Sequence, residues 1–568
     1  MNKDVKFEEI PLKVPTYKTV SSKALKLIEE LKNAQDAKET LKLIRKMEKL
    51  MDDFDTKYTV ISIRYSLNTT DKKYAKAQDK MDELTPRLVA ILNEWNKVLV
   101  KSPFRKELEA KLSPYYFIKI ENSLLAFDEK IVPELIEENK LSSEYDRILG
   151  GAKIEFRGNI YNLSQLGKFA TSKDRETRRE ASLKIDDFFY EHEKEIGEIY
   201  SKLVSLRDTM AKKLGYKNFV ELGYRNLGRT DYNADMVKVY RDEIAKNFVP
   251  LCQKLYKEQA KRIGIPFNKM KTYDYNLFYA DGNPLPAGDK DYLVGVATKM
   301  YDDMSKESGE FFHLMLNHHL LDLEARAGKA PGGYMTYLPN YEFPFIFSNF
   351  NGTKGDVDVL THEVGHAFQG YLSRKIKPTD FRSPGLETCE IHSMSMEFFA
   401  HKYMEGFFKE DANKYRYSHL VDAMEFLPYG ITIDEFQHFV YENPNATHEE
   451  RCAKFKEIES RYTPHKVYDE ESKCFSHGGY WLRQSHVFGT PFYYIDYTLA
   501  QVCAFQFFIL LTKNYEKAWN RYVKLCKCGG KYPFVTNLKK NHLQNPFEIG
   551  TLEKIVRDLK KILKTMTY

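Results

Sequence analysis

Apolar side chains recur every three or four positions along much of the chain, which predicts a largely helical protein. Ile44, Met47, Met51 and Phe54 form one such stripe, and Leu552, Ile555, Leu559 and Ile562 form another near the C-terminus. Leu360, Val364, Ala367 and Tyr371 follow i, i+4, i+7, i+11 and predict a helix with an apolar back. Asn351-Gly352-Thr353-Lys354-Gly355 reads as the loop before it, with Asp356 or Asp358 placed to cap the helix or to orient a neighbouring histidine. Gly370 weakens this helix and Pro378 forbids its simple continuation. A second helix is predicted from Leu386 onward, with Ile391, Met394 and Phe398 on one stripe and Glu390 and Glu397 on a neighbouring face.

The first of these helices carries His362-Glu363-Val364-Gly365-His366, a single H-E-x-x-H. Positions i and i+4 share one helix face, so His362 and His366 can aim two imidazoles at one metal ion. Glu363 lies beside them, where its carboxylate can reach a water held at that ion. With 15 His and 81 acidic residues in 568 positions, chance supplies roughly 0.06 such matches, so the motif is informative. A catalytic zinc takes three protein ligands and keeps one position open. Glu390 follows His366 by 24 residues, enough for a helix to end, turn and run back. On chemistry alone Glu387, Glu390, His392 and Glu397 all remain candidates for the third ligand.

The chain resembles the oligopeptidase family of zinc metallopeptidases, specifically oligoendopeptidase F and its bacterial relatives. Thimet oligopeptidase and neurolysin are more distant members. The resemblance rests on Gly328 through Tyr334, Phe345 through Phe350, Asp358 through Glu363, Glu387 through Met394 and His486 through Tyr497, in that order and spacing. It covers at least residues 320–510 and extends more weakly to Phe156–Ala181 and Leu214–Leu222.

The resemblance implies that Glu390 is the third ligand of one Zn(2+) per chain. It also implies a mainly α, two-lobed, zincin-like fold, with a deep substrate channel and a small β-sheet beside the metal. Phe343-Pro344-Phe345-Ile346-Phe347 fits a strand of that sheet, and Pro344 places it at an edge or a strand start. A free edge could pair with an extended peptide, and Gly332 and Gly333 would let backbone approach substrate closely.

The segment His486–Tyr497 holds the rest of the chemistry. Thr490 is placed as an N-cap and Pro491 as the first residue of a helix. Tyr493, Tyr494 and Tyr497 would then project together, and phenol and imidazole are suitable donors to a developing oxyanion. The resemblance implies His486 and Tyr497 as those donors, with Tyr493 or Tyr494 contacting substrate. His477-Gly478-Gly479-Tyr480 has the composition of a mobile loop. The expected activity is hydrolysis of internal bonds in short unstructured peptides through a zinc-activated water, with Glu363 as general base. A dipeptidyl-carboxypeptidase would use the same metal site, and a non-catalytic helical scaffold is the remote alternative.

Composition narrows the remaining classes. Length alone suggests roughly four domains, yet no repeat, low-complexity linker or Pro/Ser-rich joint divides the chain. An N-terminal helical lobe to about residue 200 and a catalytic lobe over 201–568 are expected instead. Net charge is 87 minus 81, or +6, small for this size, which gives only weak support to nucleic-acid binding and none to an electrostatic membrane anchor, so neither is expected. Met1–Thr16 holds six charged residues and no apolar core, so no signal peptide is expected there. The apolar stretch Val502–Leu511 is short and interrupted by Gln506, so no membrane span is expected. Seven scattered cysteines show no disulfide pattern, and Cys526-Lys527-Cys528 has no matching pair to make a metal clip. A cytoplasmic enzyme with no obligate protein partner is expected.

Overall fold

A computed structural model describes residues 4–567, which are mainly helical with two small sheets. Near the N-terminus, the helices Tyr17–Lys32, Ala37–Leu67, Lys72–Val100 and Pro114–Ala126 pack around a core of their own. Ile28, Leu43, Met81, Leu88 and Phe117 fill it, and Phe381 joins them from the far half of the chain. These helices start where side-chain oxygens replace missing backbone partners: Asp36 accepts the Glu39 N–H at 2.6 Å and Asp71 accepts the Lys73 N–H at 2.8 Å.

A larger core runs from Phe7 to Leu559. The 39-residue helix Arg175–Lys213 crosses it without a break, and position 200 lies inside that helix. At the centre is Tyr494–Leu511, whose length and hydropathy would suit a membrane span. Here Leu499, Val502 and Phe505 are fully buried, Asp496 and Gln501 are buried with them, and the helix Leu386–Phe399 lies along it. This is a core helix of the protein body.

Strands β1 (Ile154–Phe156) and β2 (Asn159–Tyr161) form a hairpin. Strands β3 (Leu321–Glu324), β4 (Tyr334–Leu338) and β5 (Phe343–Phe350) form a sheet of order β3-β5-β4, parallel between β3 and β5 and antiparallel between β4 and β5. Of the two placements expected for Pro344, the strand start holds and the edge does not, since β5 is the central strand. Pro344 is tolerated because it is the second residue of β5, opposite Tyr337, before the β3 pairing begins at Ile346. The edge next to Gly332-Gly333 belongs to β4.

Candidate active site

The motif helix spans Gly355–Ser373. Its entry is tied by Asp356, whose carboxylate accepts the N–H groups of Asn351 and Gly352 at 2.9 and 2.8 Å. Leu360, Val364, Ala367 and Phe368 are fully buried on its back, which turns His362 and His366 to the opposite side. The helix Leu386–Phe399 then meets it backbone to backbone at Gly365. A Cβ there would lie 2.7 Å from both the His392 carbonyl oxygen and Ser393 Cα. That close approach brings Glu390, one turn before Ser393, against the two histidines.

The Nε2 atoms of His362 and His366 lie 3.2 and 3.3 Å from one oxygen, Oε2 of Glu390. The imidazole planes are nearly perpendicular, at 82°. A tetrahedral zinc with bonds near 2.05 Å requires ligand atoms roughly 3.3 Å apart, so both imidazole–carboxylate separations match a zinc site, and all three atoms lie within 4.8 Å of one another. Hydrogen bonding agrees. His362 Nδ1 donates to Glu397 Oε1 at 2.7 Å, which leaves Nε2 to face Glu390 either protonated or as a metal ligand. Ser393 Oγ donates to Glu390 Oε2 at 2.9 Å, and the Tyr493 hydroxyl donates to Oε1.

The electrostatics follow from burial and pairing. Burial opposes charge on His362, but hydrogen bonds to Glu390 and Glu397 outweigh it and raise its pKa well above the ordinary value. Burial likewise pushes Glu390 up, and the two imidazoles overcome this and hold it well below the carboxylate range. Glu363 contributes no ligand atom. It is 5% exposed, its Oε2 has no hydrogen-bond partner among the described residues, and burial raises its pKa. A buried carboxylate oxygen left open in this way suits a water or substrate proton. Gly333 lies against it: a Cβ there would sit 3.6 Å from Glu363 Oε1, whereas Gly332 takes a positive φ of 85°.

The aromatic cluster lies on the same side. His486 Nε2 and the Tyr497 hydroxyl are 3.0 Å apart, and the Tyr493 and Tyr494 rings stand 4.9 and 5.6 Å from Tyr497. Gln484 Nε2 donates to His486 Nδ1 at 2.8 Å, while the Tyr429 hydroxyl donates to Gln484 Oε1 at 3.1 Å. This chain places the imidazole proton on Nε2. Burial lowers the His486 pKa to about 4, so the ring is a neutral donor at neutral pH. Ser485, Tyr480 and Arg483 line a cavity of about 750 Å³ together with Gly332, Gly333 and Val359. A second cavity of about 460 Å³ shares Ser66, Asp146 and Ala330 with it.

Several sequence expectations change. The helix expected to start at Thr490-Pro491 starts at Tyr494, because Phe492 takes φ +66° and breaks the right-handed path. Neither Asp356 nor Asp358 orients a motif histidine: Asp356 ties the loop, and Asp358 accepts from Lys354 and Tyr415. Glu397 takes that role and is itself held by His419 Nε2 at 2.7 Å, with His401 behind His419 at 2.9 Å. The other candidate ligands lie elsewhere, Glu387 in the buried neighbourhood of Asp496 and Arg229, and His392 buried behind the helix. Tyr493 is engaged with Glu390, and Tyr494 packs against Phe426 and Tyr429. Glu397 was legible as the position seven residues beyond Glu390. Gln484, Tyr429, His419 and His401 had no comparable signal.

Known proteins match both halves of this arrangement. Residues 7–127 match the peptidase M3 N-terminal domain and residues 300–556 match peptidase family M3. The chain is 23% identical over 427 residues to an oligoendopeptidase F homolog of Borreliella burgdorferi, covering 70% of this chain and 67% of that one. It is 22% identical over 440 residues to the group B oligopeptidase PepB of Streptococcus agalactiae, covering 71% and 68%. A solved structure of PZ peptidase A with inhibitor 2 superposes with a TM-score of 0.97, at 46% identity over 99% of each chain. With two helices converging on an H-E-x-x-H and a carboxylate, and with these relatives, the chain belongs to peptidase family M3 as an oligoendopeptidase F-like metallopeptidase.

Proposed function

We propose that the protein is a zinc-dependent oligoendopeptidase that cuts internal bonds of short, unstructured peptides, with one Zn(2+) per chain held by His362, His366 and Glu390. The observation that carries this reading is the pair of separations, 3.2 and 3.3 Å, between both imidazole Nε2 atoms and one oxygen of Glu390. Zinc bound there supplies a Lewis acid that polarises a peptide carbonyl and lowers the pKa of a water.

The protein's own groups do the rest. Glu363 accepts the water proton at its open Oε2 and returns it to the departing amine nitrogen. Its buried setting makes it a stronger base than a surface carboxylate. His486, through Nε2–H, and Tyr497, through its hydroxyl, donate to the oxyanion formed from the attacked carbonyl. Gln484 keeps the His486 proton on the nitrogen that faces substrate. With Tyr493 committed to Glu390, Tyr494 is the remaining candidate contact for substrate backbone. The β4 edge beside Gly332 and Gly333 would accept an extended peptide as an added strand. The cavity would open between an N-terminal lobe, approximately residues 1–200, and the catalytic remainder. Seven free thiols support a reducing, cytoplasmic location.

The test is an internally quenched peptide with both ends blocked, digested with and without phenanthroline. Cleavage at an internal bond that phenanthroline abolishes is expected, as is a Glu363→Gln protein that keeps one zinc per chain without turnover. If the blocked peptide survives while an unblocked one loses a C-terminal dipeptide, a carboxyl-directed exopeptidase replaces this reading.

A further inference from the structure

A second group of metal-ligating side chains converges away from the H-E-x-x-H helix. Glu193 comes from the helix Arg175–Lys213, His448 and Cys452 from the helix His448–Tyr462, and His477 from the short turn Phe475–His477. His448 and Cys452 are i and i+4, so they share one helix face. Oε1 of Glu193 lies 2.7 Å from His477 Nε2 and 2.8 Å from His448 Nε2. Cys452 Sγ lies 3.5 Å from His448 Nε2. Ligand atoms of Glu193, Cys452 and His477 all fall within 4.8 Å of one another.

The tautomer of His477 narrows what this contact can hold. The His477 Nδ1 contact is a backbone carbonyl, that of Lys473, and a carbonyl can only accept. The Nδ1 proton is committed there, as it commonly is in metal-bound histidine. Nε2 then either carries a second proton or turns a lone pair toward the Glu193 oxygen. A divalent ion on Nε2 resolves that contact without a doubly protonated ring. The surroundings leave room for this packing. A Cβ on Gly197 would lie 2.9 Å from the His448 ring, and one on Gly478 would lie 2.0 Å from the Cys452 carbonyl oxygen.

We propose that Glu193, Cys452 and His477 form a second, structural site for a borderline-soft divalent ion of the zinc class, with His448 holding Glu193 from beside it. One thiolate, one imidazole and one carboxylate match the ligand preferences of Zn(II), Co(II) or Ni(II) and exclude Mg(II) and Ca(II), which take oxygen ligands. Tetrahedral bonds of this kind set ligand atoms roughly 3.3–3.8 Å apart. The Glu193–His477 contact must therefore open by about 0.5 Å, which the half-exposed His477 ring accommodates by rotation. On binding, the Cys452 S–H bond breaks, its proton leaves to solvent, and sulfur bonds the metal. Affinity accordingly rises with pH. The ion would clamp the Phe475–His477 turn to two long helices. That turn leads directly into Gly479–Arg483, whose Tyr480 and Arg483 line the cavity of about 750 Å³ beside Gly333. The His477-Gly478-Gly479 segment is thus an anchored base for the cavity wall.

Metal stoichiometry and cobalt spectroscopy on the full-length protein test this. After chelator stripping, the wild type is expected to take two equivalents of Co(II) per chain and to develop a thiolate-to-cobalt charge-transfer band. Cys452→Ser/His477→Ala should take one equivalent, lose the band and keep peptidase activity. Glu390→Ala should keep one equivalent together with the band, which reads the second site even if the double variant fails to fold. No band in either the wild type or Glu390→Ala would overturn the proposal. A wild type that binds a single, thiolate-ligated equivalent would support this site while removing the catalytic metal from the proposed function.

Discussion

Gly365→Ala should damage the site through a single methyl group. The added Cβ would lie 2.7 Å from the His392 carbonyl oxygen, 2.7 Å from Ser393 Cα and 2.9 Å from Met396 Cβ. Ordinary contact begins near 3.4 Å, so the two helices must part by about 3.4 − 2.7 = 0.7 Å. The closest obstacles are backbone atoms, which cannot rotate away, and overpacking of this kind costs about 1–3 kcal/mol. The separation falls where Ser393 donates to Glu390, so it moves Glu390 away from His366. A displacement approaching 1 Å in a catalytic constellation costs on the order of 10²-fold in rate. Thermal unfolding, zinc affinity by competition with a chelator, and kcat on a quenched peptide should all be measured. The expected result is a lower Tm, zinc bound at least tenfold more weakly, and kcat down by about 10²-fold. Wild-type zinc affinity and kcat in a folded Gly365→Ala protein would refute the argument that this approach sets the metal geometry.

Other predictions test separate parts of the structure. Tyr497→Phe should lower kcat by about 10²–10³ with little change in KM, because the donor acts on a charge that develops in the transition state; a rise in KM at constant kcat would assign it to ground-state binding. Glu397→Gln keeps the side-chain shape but replaces a carboxylate that accepts from both His362 and His419 at 2.7 Å. Zinc affinity should fall about 10–100-fold with kcat at saturating zinc largely kept, and an unchanged affinity would show that Glu397 does not act through His362. Asp274→Ala should destabilise by about 3–5 kcal/mol without touching kcat, since it strips the partner from the buried Arg178 and from Arg175. Burial raises the Asp274 pKa, but Arg175, the Lys271 N–H and Arg178 outweigh it and hold it below its ordinary value. Its contribution is therefore complete above the unfolded pKa of about 4 and is lost as pH falls through the lower folded value. A wild-type pH–stability curve in Asp274→Ala would contradict that assignment.

Why the sequence disclosed some of this site and concealed the rest follows from how far each signal reaches. Helical periodicity depends on near neighbours, so the apolar back of Leu360, Val364 and Ala367 was readable, and with it the direction of His362 and His366. The i to i+7 spacing likewise set Glu397 near Glu390. Strand β5 was recognisable from its own residues, but its place at the centre of the sheet depends on β3 and β4, which only the fold supplies. The misplaced start of Tyr494–Leu511 shows the same limit more sharply. Thr490-Pro491 is a sound local capping signal, yet the Phe492 ring is buried among Tyr224, His438 and Tyr441, with Gly223 leaving it space. Its N–H is held by Gln437 Oε1 at 2.8 Å. These distant contacts hold φ at +66° and override the local preference. Tyr429 and His419 were hidden for the same reason, since each reaches the site from a segment brought there by packing. Gln484 stands only two residues from His486, but the proton it controls depends on its contact with Tyr429, which no spacing along the chain encodes.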